Sequence, residues 1–353
     1  MRPAPSACHP GFKGFARMRV AVLHNEVSAQ ADPAERDVLV QAQAVQKALD
    51  RLGHEWFALG ATLDLETLRR RLQERRPDVV FNLAESLGGS DRLALLVAAV
   101  LEAEDIPYTG SSTEGLFLTN HKLLAKERLA RAGLPTPAWA VPARKSFGRP
   151  FENPDQHPFL PGTKFILKPV SEHASLGMDE TAIVVYSGEE DLQRKLSAHS
   201  SRLATTCFAE RYIDGREFNL SVLAGPSGPE VLPPAEIDFS AFPPGKARIV
   251  DYRAKWDEAS FEFHHMFRRF DFPDSERRLL EELCRLARAC WNLFGLRGYV
   301  RVDFRVDAQN RPWILEVNTN PCLSPDAGFA AALAQASIPF EEAVRRILAD
   351  ARP

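Results

Sequence analysis

Acidic and amide side chains near the end of the chain are spaced so that they could share one metal ion. The stretch 299–321 predicts two strands joined by a turn at Gln309 and Asn310, because apolar and polar residues alternate along both halves. The predicted apolar face consists of Val300, Val302, Phe304, Val306, Trp313, Leu315 and Val317. The other face would carry Arg301, Asp303, Arg305, Ile314, Glu316 and Asn318.

In the antiparallel pairing that this turn implies, Asp303 faces Glu316 and Arg301 faces Asn318. Like charges directly opposite each other destabilise a sheet, and a bound divalent cation would remove that conflict. Oxygen ligands on rigid strands suit Mg²⁺, which commonly binds substrate phosphates as well. The alternative interpretation is a solvated sheet face on which Arg301 and Arg305 neutralise the acids.

A magnesium site predicts phosphate-binding lysines elsewhere in the chain. Neither a GxxxxGK[ST] nor a GxGxxG motif is present. Lys168 ends the apolar segment FILKP, and Lys122 opens a predicted helix after a Thr-Asn turn. The loop 171–177, SEHASLG, offers small residues whose backbone N–H groups could cover phosphates. Each of these features alone is more often an ordinary surface charge or hairpin loop.

Strands and helices alternate in the first third of the chain, which predicts a doubly wound α/β layer over 18–120. Its predicted elements are a strand at 19–24, a helix through Val38 and Leu52 that Gly53 ends, a strand at 78–83, a helix at 93–104 and a strand and turn at 106–111. Farther along, the patterns predict helices at 120–133, 279–293 and 339–350, and strands at 164–170, 181–186, 207–213 and 217–225. The segment 226–275 is predicted to be mostly loop and edge strand.

Composition limits the class of protein. The chain has 353 residues, 45% of them hydrophobic, and its net charge of -3 argues against binding nucleic acid through a global basic field. Five cysteines form no CxxC pair and no zinc spacing, as in a cytoplasmic protein with reduced thiols. No apolar run reaches the roughly 18 residues that span a bilayer. Residues 1–17, which hold three prolines, are interpreted as a disordered extension.

Five stretches, in this order, resemble the D-alanine–D-alanine ligases of the ATP-grasp superfamily: TGSSTEGLFLTNHKLLAKERLARAGLPTPAW, FILKPVSEHASLG, FAERYIDGREFN, DYRAKW and GYVRVDFRV…PWILEVNTNPCLSPDAGF. The resemblance extends from Met18 nearly to the end of the chain. It implies a fold of the α/β class, with α+β architecture in the ATP-grasp part: an N-terminal doubly wound parallel-sheet domain at 18–120, a central ATP-grasp lobe at 121–205 and a C-terminal lobe at 206–353. ATP would lie between two antiparallel sheets, beside the hairpin.

The resemblance also implies roles for individual residues. The implied nucleotide-binding residues are Lys122 and Lys168 for the phosphates, Lys255 for the γ-phosphate, Glu210 and Ile213 around the adenine, and Glu217 for the ribose. The implied metal ligands are Asp303, Glu316 and Asn318, for two Mg²⁺ ions, with Mn²⁺ as a substitute. Arg301 would stabilise the acyl phosphate and the tetrahedral intermediate. Glu35 would hold the ammonium group of the first substrate, and Ser324 the carboxylate of the second.

Several positions on the amino-acid side depart from the family pattern. Trp256 stands where the family has a tyrosine, and Cys322 where it has a glycine beside the substrate. Ala174 lies where one of two serines is usual. The segment 82–92, NLAESLGGSDR, keeps the glycines of the family's first-substrate loop and lacks its histidine.

The implied activity is ATP- and Mg²⁺-dependent formation of an amide bond between two amino acids through an acyl phosphate. The expected product is D-alanyl-D-alanine for peptidoglycan synthesis. The alternatives are an ATP-grasp ligase for other amino acids or peptides outside the cell wall, and a non-catalytic ATP-binding regulator. The expected partners are amino-acid substrates, with no nucleic acid and no membrane. The expected location is the cytoplasm, and a homodimer would be in keeping with the family.

Overall fold

The structure is a computed structural model that describes residues 16–28, 30–142, 159–172 and 177–352. Most of the predicted extension at 1–17, and residues 173–176 of the predicted phosphate loop, lie outside these ranges. Ala174 therefore also lies outside the described ranges. No helix in the described ranges combines the length and apolar character that a membrane crossing requires.

The first part of the chain builds a three-stranded parallel sheet with strand order β2-β1-β3. Its elements are β1 (Arg19–Asn25), α1 (Pro33–Leu52), β2 (Glu55–Ala61), α2 (Leu65–Arg75), β3 (Val79–Asn82), α3 (Leu95–Ala103) and α4 (Thr113–Asn120). Val20 and Val22 pack towards α1, whereas Ala21 and Leu23 pack towards α2 and α3. Helices therefore cover both faces of the sheet, which confirms the predicted doubly wound layer.

Three details of this layer differ from the prediction. The strand predicted at 78–83 is the third strand and not the second, because β2 and α2 precede it. Neither element was predicted, because each has few buried residues. Only Leu59 and Ala61 are buried in β2, and only Leu68 and Leu72 in α2. The strand predicted at 106–111 is reduced to a single bridge between Tyr108 and Val80.

Helix α1 follows directly from its sequence. Its buried face contains Val38, Ala42, Val45, Ala48 and Leu49, at helical spacing. The Asp32 carboxylate accepts a hydrogen bond from the Glu35 backbone N–H and begins the helix. Gly53 ends it in the left-handed conformation, with φ of 78°, as predicted.

The central part of the chain forms a four-stranded antiparallel sheet with strand order β4-β7-β5-β6. Its elements are α5 (Lys122–Arg131), β4 (Trp139–Ala140), β5 (Lys164–Pro169), β6 (Ile183–Val185), α6 (Glu189–Arg202) and β7 (Cys207–Arg211). Because β7 pairs with both β4 and β5, this sheet extends to Arg211, beyond the boundary predicted at residue 205.

The last part forms a six-stranded antiparallel sheet in the order β11-β10-β8-β12-β13, with β9 paired to β8. Its elements are β8 (Arg216–Leu223), β9 (Glu230–Val231), β10 (Ala235–Asp238), α7 (Tyr252–Trp256), α8 (Phe261–His265), β11 (Phe267–Arg269), α9 (Arg277–Leu293), β12 (Tyr299–Val306), β13 (Pro312–Asn318), α10 (Gly328–Gln335) and α11 (Phe340–Ala349). The segment 226–275 therefore contains short helices as well as the predicted edge strands. Helix α9 covers the sheet through Leu283, Leu286 and Cys290.

The hairpin β12–β13 has the predicted register at its functional end: Asp303 pairs with Glu316, and Arg301 with Asn318. Beyond Asp303 the register shifts by one residue, so that Phe304 pairs with Ile314 and Leu315 is the extra residue of a β-bulge. The bulge turns Ile314 into the core, where it is 0% exposed, and leaves Leu315 facing a cleft. The predicted alternation of β13 was therefore wrong for these two residues and for Trp313, which pairs with Arg305.

Candidate active site

A cleft with a cavity of about 590 Å³ lies where the two antiparallel sheets and the N-terminal layer meet. Nearly all of the sequence-predicted site residues line it: Glu35, Lys122, Lys168, Glu210, Ile213, Glu217, Lys255, Arg301, Asp303, Glu316, Asn318 and Cys322. They come from helix α1, helix α5, both antiparallel sheets and helix α7. The fold thus brings together residues as far apart in the sequence as Glu35 and Cys322.

The hairpin face holds a charge cluster around Asp303. Arg301 donates two hydrogen bonds to its carboxylate, at 2.7 and 2.8 Å. Asn219 on β8 and Asn318 on β13 donate two more, at 2.8 and 2.9 Å. The arginine pairing that the alternative interpretation predicted is therefore present for Asp303. Arg305 does not take part in it, because it pairs with Glu217 instead.

The donor atoms of this face fit a hard cation. Asp303, Glu316 and Asn318 supply carboxylate and amide oxygens on adjacent strands, the ligand type that Mg²⁺ prefers. Within the described ranges, no group of three or more His, Cys, Asp or Glu side chains is arranged to hold a metal ion. A metal here would therefore depend on Asn318 and on oxygens from a bound phosphate to complete its shell.

Lys122 contacts both the hairpin and the segment that leads into the predicted phosphate loop. Its Nζ lies 3.1 Å from a Glu316 oxygen and donates a hydrogen bond to the Glu172 carbonyl at 2.7 Å. Its own backbone N–H bonds to the Val170 carbonyl. Helix α5 is thereby tied to the end of β5, and the lysine faces the cleft beside the acids.

A buried triad of charges supports the second phosphate lysine. Lys168 and Lys126 each place Nζ 2.6 Å from a different oxygen of Glu210, which is 1% exposed. Burial alone would raise the pKa of Glu210, but the two ammonium groups outweigh it and lower that pKa. Sequence analysis missed Lys126; its signal was its position four residues after Lys122, one turn along α5.

At the far end of the cleft, Arg305 holds the predicted ribose acid Glu217. Its Nε lies 3.3 Å from a Glu217 oxygen, and its guanidinium donates to the Gly215 and Arg248 carbonyls. Burial raises the pKa of Glu217, and the charge of Arg305 opposes that rise. Arg305 thus joins β12, the turn before β8 and the chain segment that leads to α7.

Helix α7 presents Lys255 and Trp256 to the cleft. Burial, followed by repulsion from Arg301, lowers the pKa of the Lys255 amine. The indole Nε1 of Trp256 is buried and has no hydrogen-bond acceptor in the described ranges. Both side chains are therefore poised to gain interactions with a bound anion or polar group.

The amino-terminal end of the cleft contains acids that the sequence did not single out. Glu35 is exposed and faces the cleft, but Asp37 and Glu85 lie beside it. Gln41 bridges the two, donating to Asp37 at 3.1 Å and to Glu85 at 2.8 Å. Burial raises the pKa of Glu85 to about 7. Asp37 could have been noticed two residues after Glu35, and Glu85 within the altered segment 82–92.

Ser324 is placed differently from its predicted role. It is 1% exposed, does not line the cleft, and donates its hydroxyl to Asp37 at 2.7 Å. Cys322 does line the cleft, and its thiol donates to the other Asp37 oxygen at 2.9 Å. This geometry does not favour a direct contact between the Ser324 hydroxyl and a substrate carboxylate.

Comparison with known proteins adds an independent line of evidence. Residues 129–349 match the family model described as D-ala D-ala ligase C-terminus. The chain is 32% identical to a D-alanine–D-alanine ligase of Synechococcus sp. over 90% of both chains. It is 29% identical to an uncharacterised protein of Sinorhizobium fredii, over 87% of this chain and 86% of that one. The solved structure of the D-alanine–D-alanine ligase from Bacillus anthracis complexed with ATP shares its fold, with a TM-score of 0.69 at 21% identity over 94% of this chain and 97% of that one.

Proposed function

The chain belongs to the D-alanine–D-alanine ligase family, and we propose that it is an ATP-dependent carboxylate–amine ligase that joins two amino acids through an amide bond. One observation carries the proposal: cationic side chains suited to phosphate and an oxygen-rich hairpin face line the same cleft. The expected substrates are two molecules of D-alanine and the expected product is D-alanyl-D-alanine for peptidoglycan synthesis. Synthesis in the cytoplasm by a homodimer remains a prediction from the family resemblance.

In the first step, the carboxylate of one amino acid attacks the γ-phosphorus of ATP. The bond to the β,γ-bridging oxygen breaks, ADP leaves, and an acyl phosphate forms. This reaction needs positioned positive charge more than covalent help. Lys122, Lys168 and Lys255, which line the cleft, would supply it, and a Mg²⁺ ion held by the hairpin oxygens would neutralise further phosphate charge.

In the second step, the amine of the other amino acid attacks the acyl carbon. An oxyanion develops on the former carbonyl oxygen, phosphate then leaves, and the amine loses a proton. A fixed cation beside the reacting carbon stabilises that oxyanion. Arg301 suits this role because its hydrogen bonds to Asp303 hold its guanidinium in one orientation within the cleft.

A ligase for a different amino-acid pair is the second candidate, and the acid Glu85 is the observation that favours it. Glu85 lies in the segment that lacks the family's histidine, next to the end of the cleft where Glu35 would bind an ammonium group. A carboxylate at this position would favour binding of a substrate that carries an additional positive charge. The charged residues expected of transfer chemistry line the cleft, which argues against a non-catalytic regulator.

The test is phosphate release from Mg²⁺-ATP by the purified protein across a panel of D- and L-amino acids, alone and in pairs, with products identified by mass. Release with D-alanine alone, accompanied by the dipeptide, supports the cell-wall function. Release only with another pair, for example one that contains a basic amino acid, keeps the reaction and changes the substrates. Arg301→Lys is the matched variant, because it keeps a charge and loses the two-pronged bond to Asp303. Absence of release with every pair would contradict the ligase proposal.

A further inference from the structure

We propose that Asp37 is a positioning residue that fixes the downstream end of the loop 319–324 against helix α1 and thereby sets the geometry of the amide-forming step. The inference rests on the proposed ligase function for the step that it affects, whereas the anchoring itself rests on contacts alone. Asp37 does not have to touch substrate for this role. It acts through the loop that follows the metal-binding strand.

Three neighbouring side chains donate hydrogen bonds to the carboxylate of Asp37. One oxygen accepts the Ser324 hydroxyl at 2.7 Å. The other accepts the Cys322 thiol at 2.9 Å and the Gln41 amide at 3.1 Å. A carboxylate with three donors is well satisfied and resists movement, because each hydrogen bond to a charged group is stronger than a neutral one.

Gln41 completes the attachment one helical turn later. Its side chain is 1% exposed, and its carbonyl oxygen accepts the Leu323 backbone N–H at 3.0 Å. Residues 322, 323 and 324 are therefore each bound to the same face of α1, through positions 37 and 41. Three consecutive residues held in this way leave the loop little freedom to shift as a unit.

The position of this loop matters because of where it begins and what it lines. It follows Asn318, the last residue of β13, and residues 319–322 line the cleft beside Arg301. Its upstream end has anchors of its own: Thr319 contacts Thr119 at 3.3 Å, and Asn320 donates to the Ala84 carbonyl at 3.1 Å. The Asp37 contacts fix its downstream end.

Helix α1 also connects this loop to the first substrate. Glu35 and Asp37 lie in its first turns, and Glu35 faces the cleft while Asp37 holds the loop. A shift of the loop relative to α1 would therefore change the distance between the ammonium site at Glu35 and the part of the cleft that residues 319–322 line beside Arg301. The phosphoryl-transfer residues on α5 and β5 would not be affected. Loss of Asp37 should thus impair the second step more than the first.

Two measurements on the full-length chain test the proposal, with Asp37→Asn as the main variant. Asp50→Asn is the matched control: Asp50 lies on the same helix outside the cleft, and within the part of the chain that the structure describes its carboxylate accepts only the Trp56 indole N–H. Ser324→Ala removes one of the two loop donors and keeps the charge of Asp37. Melting temperatures report whether each variant folds.

The first measurement is the alkylation rate of Cys322 by iodoacetamide without nucleotide, followed by peptide mass spectrometry. Burial raises the pKa of the Cys322 thiol, and the charge of Asp37 raises it further. Asp37→Asn should speed alkylation about tenfold, the scale of a lost hydrogen bond to a charged group. Ser324→Ala should speed it less, and Asp50→Asn should leave it unchanged. Because Ser324→Ala keeps the charge of Asp37, faster alkylation in that variant reports a looser loop, and a wild-type rate in Ser324→Ala would overturn the anchoring.

The second measurement is the ratio of dipeptide formed to phosphate released, with the amino-acid pair that gives the most phosphate. Asp37→Asn should lower this ratio severalfold, because acyl phosphate is then lost to water, and should leave the KM for ATP near the wild-type value. Parallel loss of dipeptide and phosphate at an unchanged ratio would show a merely structural role and overturn the proposal. If no pair releases phosphate but Ser324→Ala still speeds alkylation, the proposed ligase function is wrong. The anchoring of the loop is then supported, without a role in amide formation.

Discussion

At the scale of single residues, the cleft neutralises its own charges. Glu210 is shared by Lys126 and Lys168, and the same cleft wall pairs Lys122 with Glu316. Buried charges are costly unless they are paired, so a free cleft of this composition must satisfy its lysines and acids internally. A bound triphosphate would offer phosphate oxygens to the lysines in place of their present carboxylate partners. The paired side chains therefore already lie where the ligand needs them.

Glu85 gives a prediction about pH. Burial raises its pKa from an ordinary 4.5 to about 7, so the folded chain binds this proton more tightly than the unfolded chain. Its contribution to the free energy of unfolding is therefore complete below pH 4.5 and is lost as pH rises through about 7. Glu85→Gln should remove this dependence, which amounts to roughly 3 kcal/mol at most.

The measurement is urea unfolding of wild type and Glu85→Gln at several pH values from 4.5 to 8. As pH rises, the unfolding free energy of the wild type should fall relative to that of Glu85→Gln. A difference that stays constant over this range would mean that Glu85 is not the titrating group.

Sequence analysis singled out residues whose type and local spacing indicate a chemical role. It missed residues whose role depends on a contact with a residue far away in the sequence. Asp303 and Glu316 stand on one hairpin, so a short-range pairing rule found them. Lys126 and Asp37 act through Glu210 and Ser324, which are 84 and 287 positions away, respectively. No local pattern contains such a contact, and the predicted role of Ser324 rested on a motif alone.

At the scale of elements, the hairpin shows what alternation can predict and where it stops. The turn position gave the register at Asp303 and Glu316 correctly. The bulge at Leu315 then reversed the phase of β13, because one extra residue changes the face of every residue after it. A bulge has no signature in a run such as Trp-Ile-Leu, in which every residue is apolar.

The helices and strands that sequence analysis did not find share a physical cause. Helices α2 and α6 are highly polar and bury few residues, and α4 and α10 are only eight residues long. Such elements owe their stability to packing on a sheet and not to their own pattern. Long amphipathic helices such as α1 and α9 were found at once, because a wide apolar stripe is visible in the sequence.

The turn between β7 and β8 gives a prediction at this scale. A Cβ added to Gly215 would lie 2.0 Å from the backbone oxygen of Val306, an atom that cannot move aside without disturbing β12. Gly215→Ala should therefore lower the free energy of unfolding by at least about 2 kcal/mol. It should also raise the KM for ATP, because the turn leads to Glu217 and because the Gly215 carbonyl accepts a hydrogen bond from Arg305.

Gly60→Ala is the matched control for this test. Its added Cβ would meet Glu26 Cβ at 3.7 Å, an ordinary contact on β2 away from the cleft. We expect its unfolding free energy to stay within about 0.5 kcal/mol of the wild-type value. Similar stability and KM in Gly215→Ala and the wild type would refute the close approach of the turn to β12.

At the scale of the whole molecule, three sheets from successive parts of the chain contribute to one cleft. The central sheet supplies Lys168 and Glu210, the last sheet supplies the hairpin face, and the N-terminal layer supplies Glu35. A ligand that touches all three parts should stabilise the folded chain as a unit. Its effect should depend on the cation, because Asp303 and Glu316 repel phosphate in the absence of a metal.

We therefore expect Mg²⁺-ATP to raise the melting temperature and ATP with a chelator to raise it much less. At a ligand concentration of 100 times Kd, the stabilisation is about 2.7 kcal/mol, which corresponds to roughly 4 °C for a chain of this size. The double variant Asp303→Asn and Glu316→Gln should lose turnover and the Mg²⁺-dependent part of the shift, since it lacks the charged oxygens that would bind the cation. Glu282→Gln, an exposed change on α9 beyond the cleft, should keep the full shift. An equal effect of Mg²⁺ in both variants would place the cation on the nucleotide alone and remove the hairpin from its binding.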